Sequence, residues 1–361
     1  MNATHGVTRK SRTFSLIVLL LFLFVRASTQ EYLTTPPEQV EVEFKALLQR
    51  PNVDFRASFQ LTTTDSVLIE KGFIYSEENE KVPVLIYKPL QAKNKSLPVV
   101  ICLHGTGGSK DNADIKGLLY RFTKIGMMGV AIDARYHGER IAGGAHGSKE
   151  YVEAITRAWK NTDTAKQEHP FFYDTVYDLW RLTDYLSTRP DVQKDRIGMM
   201  GISMGGIETW MAASVDKRIK VAVPAIATQS FSWILENDKW QGRARTIWAA
   251  HEQAAKDLGD SDVNKQSVQA LWNKLVPGIN GMFDCPSMLR LFPPRPLLLL
   301  STEKDQNCPL PGAKIAFEAV KVSYKATGSP NRLKIDIEPN EPHRFTAKHK
   351  EMAIGFFKKH L

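Results

Sequence analysis

The stretch Asp195-Arg196-Ile197-Gly198-Met199-Met200-Gly201-Ile202-Ser203-Met204-Gly205-Gly206 decides how this chain folds. Residues 197–201 are an apolar run of strand type, and residues 205–214 carry a helical pattern, so Gly201-Ile202-Ser203-Met204-Gly205 falls in a strand-to-helix turn. A serine in such a turn stands at the tip of its strand, in a backbone so tight that the positions two before and two after it must be small. Gly201 and Gly205 meet that demand. The context, more than the bare G-x-S-x-G pattern, predicts Ser203 as a nucleophile, with the N–H of Met204 offered to an oxyanion.

Outward from this turn, short apolar runs at 99–103, 128–132, 197–201, 219–223, 297–300 and 333–337 alternate with helical patterns at 115–125, 172–186, 205–214, 312–322 and 346–359. That alternation predicts an α/β fold with a mostly parallel central sheet covered by helices on both faces. Ahead of it, an amphipathic segment at 40–48 is followed by period-2 alternation at 56–63, 67–75 and 82–87, which predicts leading antiparallel strands. Two intervals break the rhythm, 141–170 and 227–294. The second is too long for a simple connection and reads as a helical cap insertion. Its aromatics, Trp233, Trp240, Trp248, Trp272 and Phe283, either line an apolar acyl pocket or pack the cap's own helices.

A serine nucleophile needs a second oxyanion donor, an acid and a base. Leu103-His104-Gly105-Thr106-Gly107-Gly108 follows an apolar strand, and its glycines let the backbone approach a substrate carbonyl; the N–H of Thr106 is the expected donor, Gly107 its nearest rival, and His104 is structural. The G-K-[ST] that a phosphate-binding loop requires is absent, so nucleotide binding is the weaker reading. The acid and the histidine should follow the serine in that order, each after a strand. Asp305 and His343 fit, with Glu303 as rival acid. His349, in the last helical segment, is a weaker rival base with a solvent-facing side chain. The charged loop Asp133-Ala134-Arg135-Tyr136-His137-Gly138-Glu139-Arg140 reads as an ion-paired brace, which Glu208 could join.

Taken together, the 104–108 loop, the 133–138 loop, Gly201 to Gly206, Asp305 and His343 resemble the α/β-hydrolase superfamily over about residues 80 to 361. The Asp195-Arg196-Ile197-Gly198 lead-in and the cap's position are similar to its dienelactone hydrolase-like and acetyl xylan esterase-like branch, which borders the prolyl oligopeptidase catalytic domain. Dienelactone hydrolases use a cysteine nucleophile; Ser203 departs from them and favours ester over lactone chemistry. The resemblance implies a serine hydrolase that needs no cofactor; the leading reading is cleavage of small-molecule carboxylic esters, and no metal site is expected. A prolyl oligopeptidase-like peptidase is one alternative, although no propeller fits before residue 98; a ligand-binding homologue without turnover is another.

The N-terminus reads separately. Arg9, Lys10 and Arg12 precede a greasy run over 14–25, shorter than a membrane span requires, so residues 1–27 are expected to be a signal peptide, leaving a single domain over 28–361 in a secreted or endomembrane-lumen protein. Anchoring by residues 14–25 is the alternative. Formal charge is +9 over the chain and +5 without that segment, and no basic block suggests nucleic-acid binding. Three cysteines lack paired metal spacing; Cys102 sits in an apolar run, while Cys285 and Cys308 could pair in a secreted chain. Asn94-Lys95-Ser96 is a glycosylation sequon. Oligomeric state is not encoded in any of these features.

Overall fold

Side chains that alternate along one strand divide the interior in two. In β4 (Leu97–Leu103), Val99, Ile101 and Leu103 enter one core cluster, and Val100 and Cys102 enter the other. The strand is buried along its whole length, which is why it reads as a continuous apolar run instead of an amphipathic one. The computed structural model describes residues 34–92, 95–141 and 147–361; the expected signal peptide and Asn94 of the sequon lie outside the described residues.

The other strands are β1 (Ser58–Thr63), β2 (Val67–Glu77), β3 (Glu80–Pro89), β5 (Met128–Ile132), β6 (Val192–Ile202), β7 (Ile219–Ala225), β8 (Leu297–Thr302) and β9 (Leu333–Glu338). They form one sheet in the order β1-β2-β3-β5-β4-β6-β7-β8-β9. The leading strands and the β3–β5 pair are antiparallel, and every pairing from β5 through β4 to β9 is parallel. The sheet and its strands follow the sequence pattern.

Helices α2 (Ala113–Lys124) and α12 (Ala347–His360) pack on the face that holds Val100 and Cys102. The opposite face carries α1 (Pro37–Leu47), α3 (Lys149–Lys160), α4 (Tyr173–Thr188), α5 (Met204–Val215) and α11 (Leu310–Ala326). Between β7 and β8 run α6 (Phe231–Glu236), α7 (Gln241–Ala244), α8 (Trp248–Asp257), α9 (Lys265–Leu275) and α10 (Cys285–Leu289), the helical cap. Among the described residues, no helix is long and apolar enough to cross a membrane.

Four details differ from the sequence reading or decide between its alternatives. The 141–170 interval is no plain loop: α3 forms there, burying Tyr151, Ala154, Ile155 and Ala158 at helical spacing. Of the cap aromatics Trp240, Trp272 and Phe283 are buried, Trp272 edge-on to Phe231 within the cap and Phe283 edge-on to Phe44 of α1, whereas Trp248 is 38% exposed. His349 is fully buried on α12, its Nε2 3.1 Å from Asp336 Oδ2, so it does not face solvent. Of the two possibilities left open for Cys285 and Cys308, the bridge is not formed. Both thiols are free; the Cys308 sulfur faces the Ile226 carbonyl at 3.4 Å and the Arg243 guanidinium at 3.0 Å, while Cys285 opens α10 under the Asp284 carboxylate.

Chain order around β4 positions the site. From β4 the chain passes through α2 to β5 on one side, then returns across β4 to β6 on the other. Loops leaving the carboxyl ends of β4 and β6 therefore diverge over a crevice, the point where ligands bind in open α/β sheets.

Candidate active site

Ser203 sits at that crevice with φ at +56°, a left-handed value that a non-glycine residue holds only when its surroundings impose it. Here they do. Its N–H donates to Ala225 O at 2.9 Å, its carbonyl accepts the Ile207 N–H at 3.0 Å, and the Gly205 N–H is held by His104 O at 3.1 Å. A Cβ on Gly201 would collide with the Gly205 carbonyl, and one on Gly205 would lie 2.6 Å from His104 O, so both glycines are steric requirements.

The structure brings Ser203, Asp305 and His343 together. His343 Nε2 is 2.8 Å from Ser203 Oγ, and its Nδ1 is 2.7 Å from Asp305 Oδ2. With Nδ1–H donating to the carboxylate, Nε2 is free to accept the hydroxyl proton. Asp305 is itself fixed: its Oδ1 accepts the N–H groups of Asn307 and Cys308, both at 2.8 Å. Glu303, the rival acid, is occupied elsewhere, its Oε2 accepting the Asn340 N–H at 2.8 Å and so tying down the loop that carries His343. Asp305, Cys308 and His343 place possible ligand atoms within 4.8 Å of one another, but two of the three belong to this relay and burial pushes the Cys308 thiol up to about 12.

Above the serine, the N–H groups of Thr106 and Met204 are without a hydrogen-bond partner among the described residues, whereas that of Gly107 donates to His137 Nε2 at 3.1 Å and that of Gly108 to Gly105 O at 3.0 Å. Gly107 turns with φ at +75°. Two buried histidines hold this loop. His137 donates from Nδ1 to Arg135 O at 2.8 Å, and His104 donates from Nδ1 to Gly105 O at 2.8 Å while accepting the Ala134 N–H at Nε2, 3.1 Å away. Each therefore has to be neutral, with Nε2 as the acceptor.

Burial lowers His104 to about 4 and His137 to about 3. An unfolded chain, with histidines near 6.5, takes up protons the folded chain refuses, so this stability is complete above pH 6.5 and is lost as pH falls toward those values. His137 alone contributes about 3 kcal/mol to that loss by pH 4.5. Melting temperatures at pH 7 and 4.5 are expected to fall steeply in the native protein and less in His137→Gln; equal slopes would contradict this account.

Beneath the loop, the charged segment forms the expected brace. Asp178 is fully buried on α4 and receives Arg135 Nε at 2.8 Å, Arg140 Nη1 at 2.6 Å and Ser76 Oγ at 2.5 Å. Both arginines continue to Glu77 or Glu80. Lys110 and Asp133 make a second buried pair at 2.9 Å. Glu208 makes an ion pair with neither; burial, and then the nearby Asp178 charge, raises its carboxyl well above the usual range. Sequence reasoning also missed Tyr151, whose ring lies 4.6 Å from that of His137, and Arg243, whose guanidinium meets Cys308 Sγ at 3.0 Å; neither carries a motif.

Residues 49–231 match the family model described as acetyl xylan esterase. The chain belongs to the acetyl xylan esterase family. It is accordingly an α/β-hydrolase and a carboxylic ester hydrolase. The Bacillus subtilis (strain 168) protein YtaP, named as a hydrolase, is 24% identical over 305 residues, 81% of this chain and 88% of that protein. Among solved structures, an acetyl xylan esterase from Paenibacillus sp. R4 matches with TM-score 0.65 at 21% identity, over 89% of this chain and 93% of that one. Acetyl xylan esterase 1 from Thermoanaerobacterium sp. JW/SL YS485 matches with TM-score 0.63 at 16% identity, over 92% and 93%. These two share the fold.

Proposed function

We propose that this esterase works through an acyl-enzyme on Ser203 and that its substrates are small acyl esters, with acetyl groups on carbohydrate as the first candidates. The observation that carries the mechanism is the unbroken line from Ser203 Oγ through His343 to Asp305. His343 takes the hydroxyl proton as Ser203 attacks the ester carbonyl, and Asp305 keeps the imidazole in the tautomer that can accept it. The N–H groups of Thr106 and Met204 receive the developing oxyanion. His343 then protonates the departing alcohol, and water repeats the sequence to release the acid.

The small acyl group follows from the acetyl xylan esterases among its relatives. Residues 28–361 are read as a single domain, and residues 1–27 as a signal peptide directing it to the secretory route, with retention by residues 14–25 as the alternative. Hydrolysis of p-nitrophenyl acetate, butyrate and octanoate tests the acyl pocket. The expected kcat/KM falls along that series and is accompanied by acetate release from acetylated xylo-oligosaccharide. Octanoate as the best substrate, with no release from the oligosaccharide, would overturn the reading.

A further inference from the structure

We propose that Arg243 makes this enzyme selective for esters that carry a carboxylate close to the scissile bond. The proposal rests on the assignment of Ser203, Asp305 and His343 above and adds a substrate class to it. Arg243 lies on α7 and is 1% exposed. Among the described residues no acidic side chain pairs with it. Its contacts are neutral: Nη2 meets Cys308 Sγ at 3.0 Å, and Nε meets the side-chain oxygen of Gln229 at 3.3 Å when that amide is oriented to donate to Asn307 O at 2.7 Å. Nη1 has no partner among the described residues. A guanidinium cannot shed its charge, and neutral hydrogen bonds do not replace the solvation a buried cation loses. An anion would.

Place and rigidity point to the substrate as that anion. Cys308 Sγ, which Arg243 touches, is within 4.8 Å of the ligand atoms of Asp305 and His343, so the cation stands one side chain from the relay. Asp305 does not neutralise it, being committed to Asn307, Cys308 and His343. The guanidinium has little freedom to swing away, since a Cβ on the preceding Gly242 would collide with Gln306 O and the α7 backbone is therefore pressed against the loop that carries Asp305. Two buried hydroxyls, those of Tyr151 and Thr228, also have no partner among the described residues. Thr228 precedes Gln229, and the Tyr151 ring lies 4.6 Å from His137, which holds the Gly107 turn. An unpaired guanidinium edge suits the lone pairs of a carboxylate far better than a methyl group.

Two matched pairs test this: monomethyl against dimethyl succinate for a carboxylate on the acyl side, and 4-acetoxybenzoate against its methyl ester for one on the alcohol side. The native enzyme is expected to favour the charged member of at least one pair by tenfold or more in kcat/KM. Arg243→Met is expected to lose at least 30-fold on that substrate and less than threefold on its neutral partner, with partial rescue in Arg243→Lys. No charged preference in either pair, or an equal loss on both members in Arg243→Met, would overturn the proposal. If Arg243→Met does not fold, the native enzyme's two ratios decide alone. Failure of the underlying mechanism would look different: the neutral esters would still turn over in Ser203→Ala.

Discussion

Ser203→Ala is expected to lower kcat on p-nitrophenyl acetate by roughly 10⁴- to 10⁶-fold with little change in melting temperature. On the proposed mechanism the loss is large because the hydroxyl forms the bond that splits one difficult acyl transfer into two easier ones. Cys308 is the nearest alternative nucleophile, but burial keeps its thiol protonated and its sulfur is turned to Ile226 O and Arg243. His343→Ala is expected to match Ser203→Ala, and the double variant to be no worse than either single one, since the two act as a unit. Asp305→Asn keeps the shape of the loop but favours the wrong imidazole tautomer; a loss of about 10⁴-fold is expected. Steady-state kinetics beside circular dichroism melts measure all of these. A Ser203→Ala enzyme within tenfold of native activity would remove the mechanism.

Asp178→Ala is expected to destabilise the fold by about 3–5 kcal/mol, because it strips two buried arginines of their shared counter-ion. Burial would raise the Asp178 carboxyl, yet Arg135 and Arg140 outweigh it and hold that carboxyl well below the usual range. Its contribution is therefore present above the ordinary carboxylate pKa and is lost as pH falls through the folded-state value. The same arginines brace the 133–140 loop, whose His137 holds the Gly107 turn, so activity should fall along with stability. A drop in melting temperature of roughly 10 °C is expected, and Asp178→Asn, which keeps the hydrogen-bond acceptor, should lose less. A melting temperature within 2 °C of native in Asp178→Ala would show that the brace contributes about 1 kcal/mol or less.

Much of this was legible before any coordinates, for reasons that differ by element. Strands buried on both faces announce themselves as short apolar runs, and the glycines around Ser203 are dictated by a backbone that tolerates nothing larger. The α3 helix was hidden because Lys149, Glu150, Glu153, Arg157 and Lys160 surround its buried stripe, so mean polarity masked a clear period. Choosing Asp305 over Glu303 required the fold: both follow β8, and only loop geometry turns one toward His343 and the other toward Asn340. His349 was misjudged because the face of α12 that meets Asp336 carries a polar residue where an apolar one is the norm. Arg243 left no mark at all. Its proposed significance lies in the lack of an acidic partner among the described residues, which a chain read in one dimension cannot show.

The central claim, that Ser203 carries the acyl group, is tested most directly by titrating the enzyme with a fluorophosphonate, mapping the adduct by peptide mass spectrometry and following p-nitrophenyl acetate hydrolysis in the same samples. The account predicts one adduct per chain, on Ser203, with activity falling in proportion to its occupancy. An adduct on another residue, or full activity with Ser203 completely labelled, would contradict it.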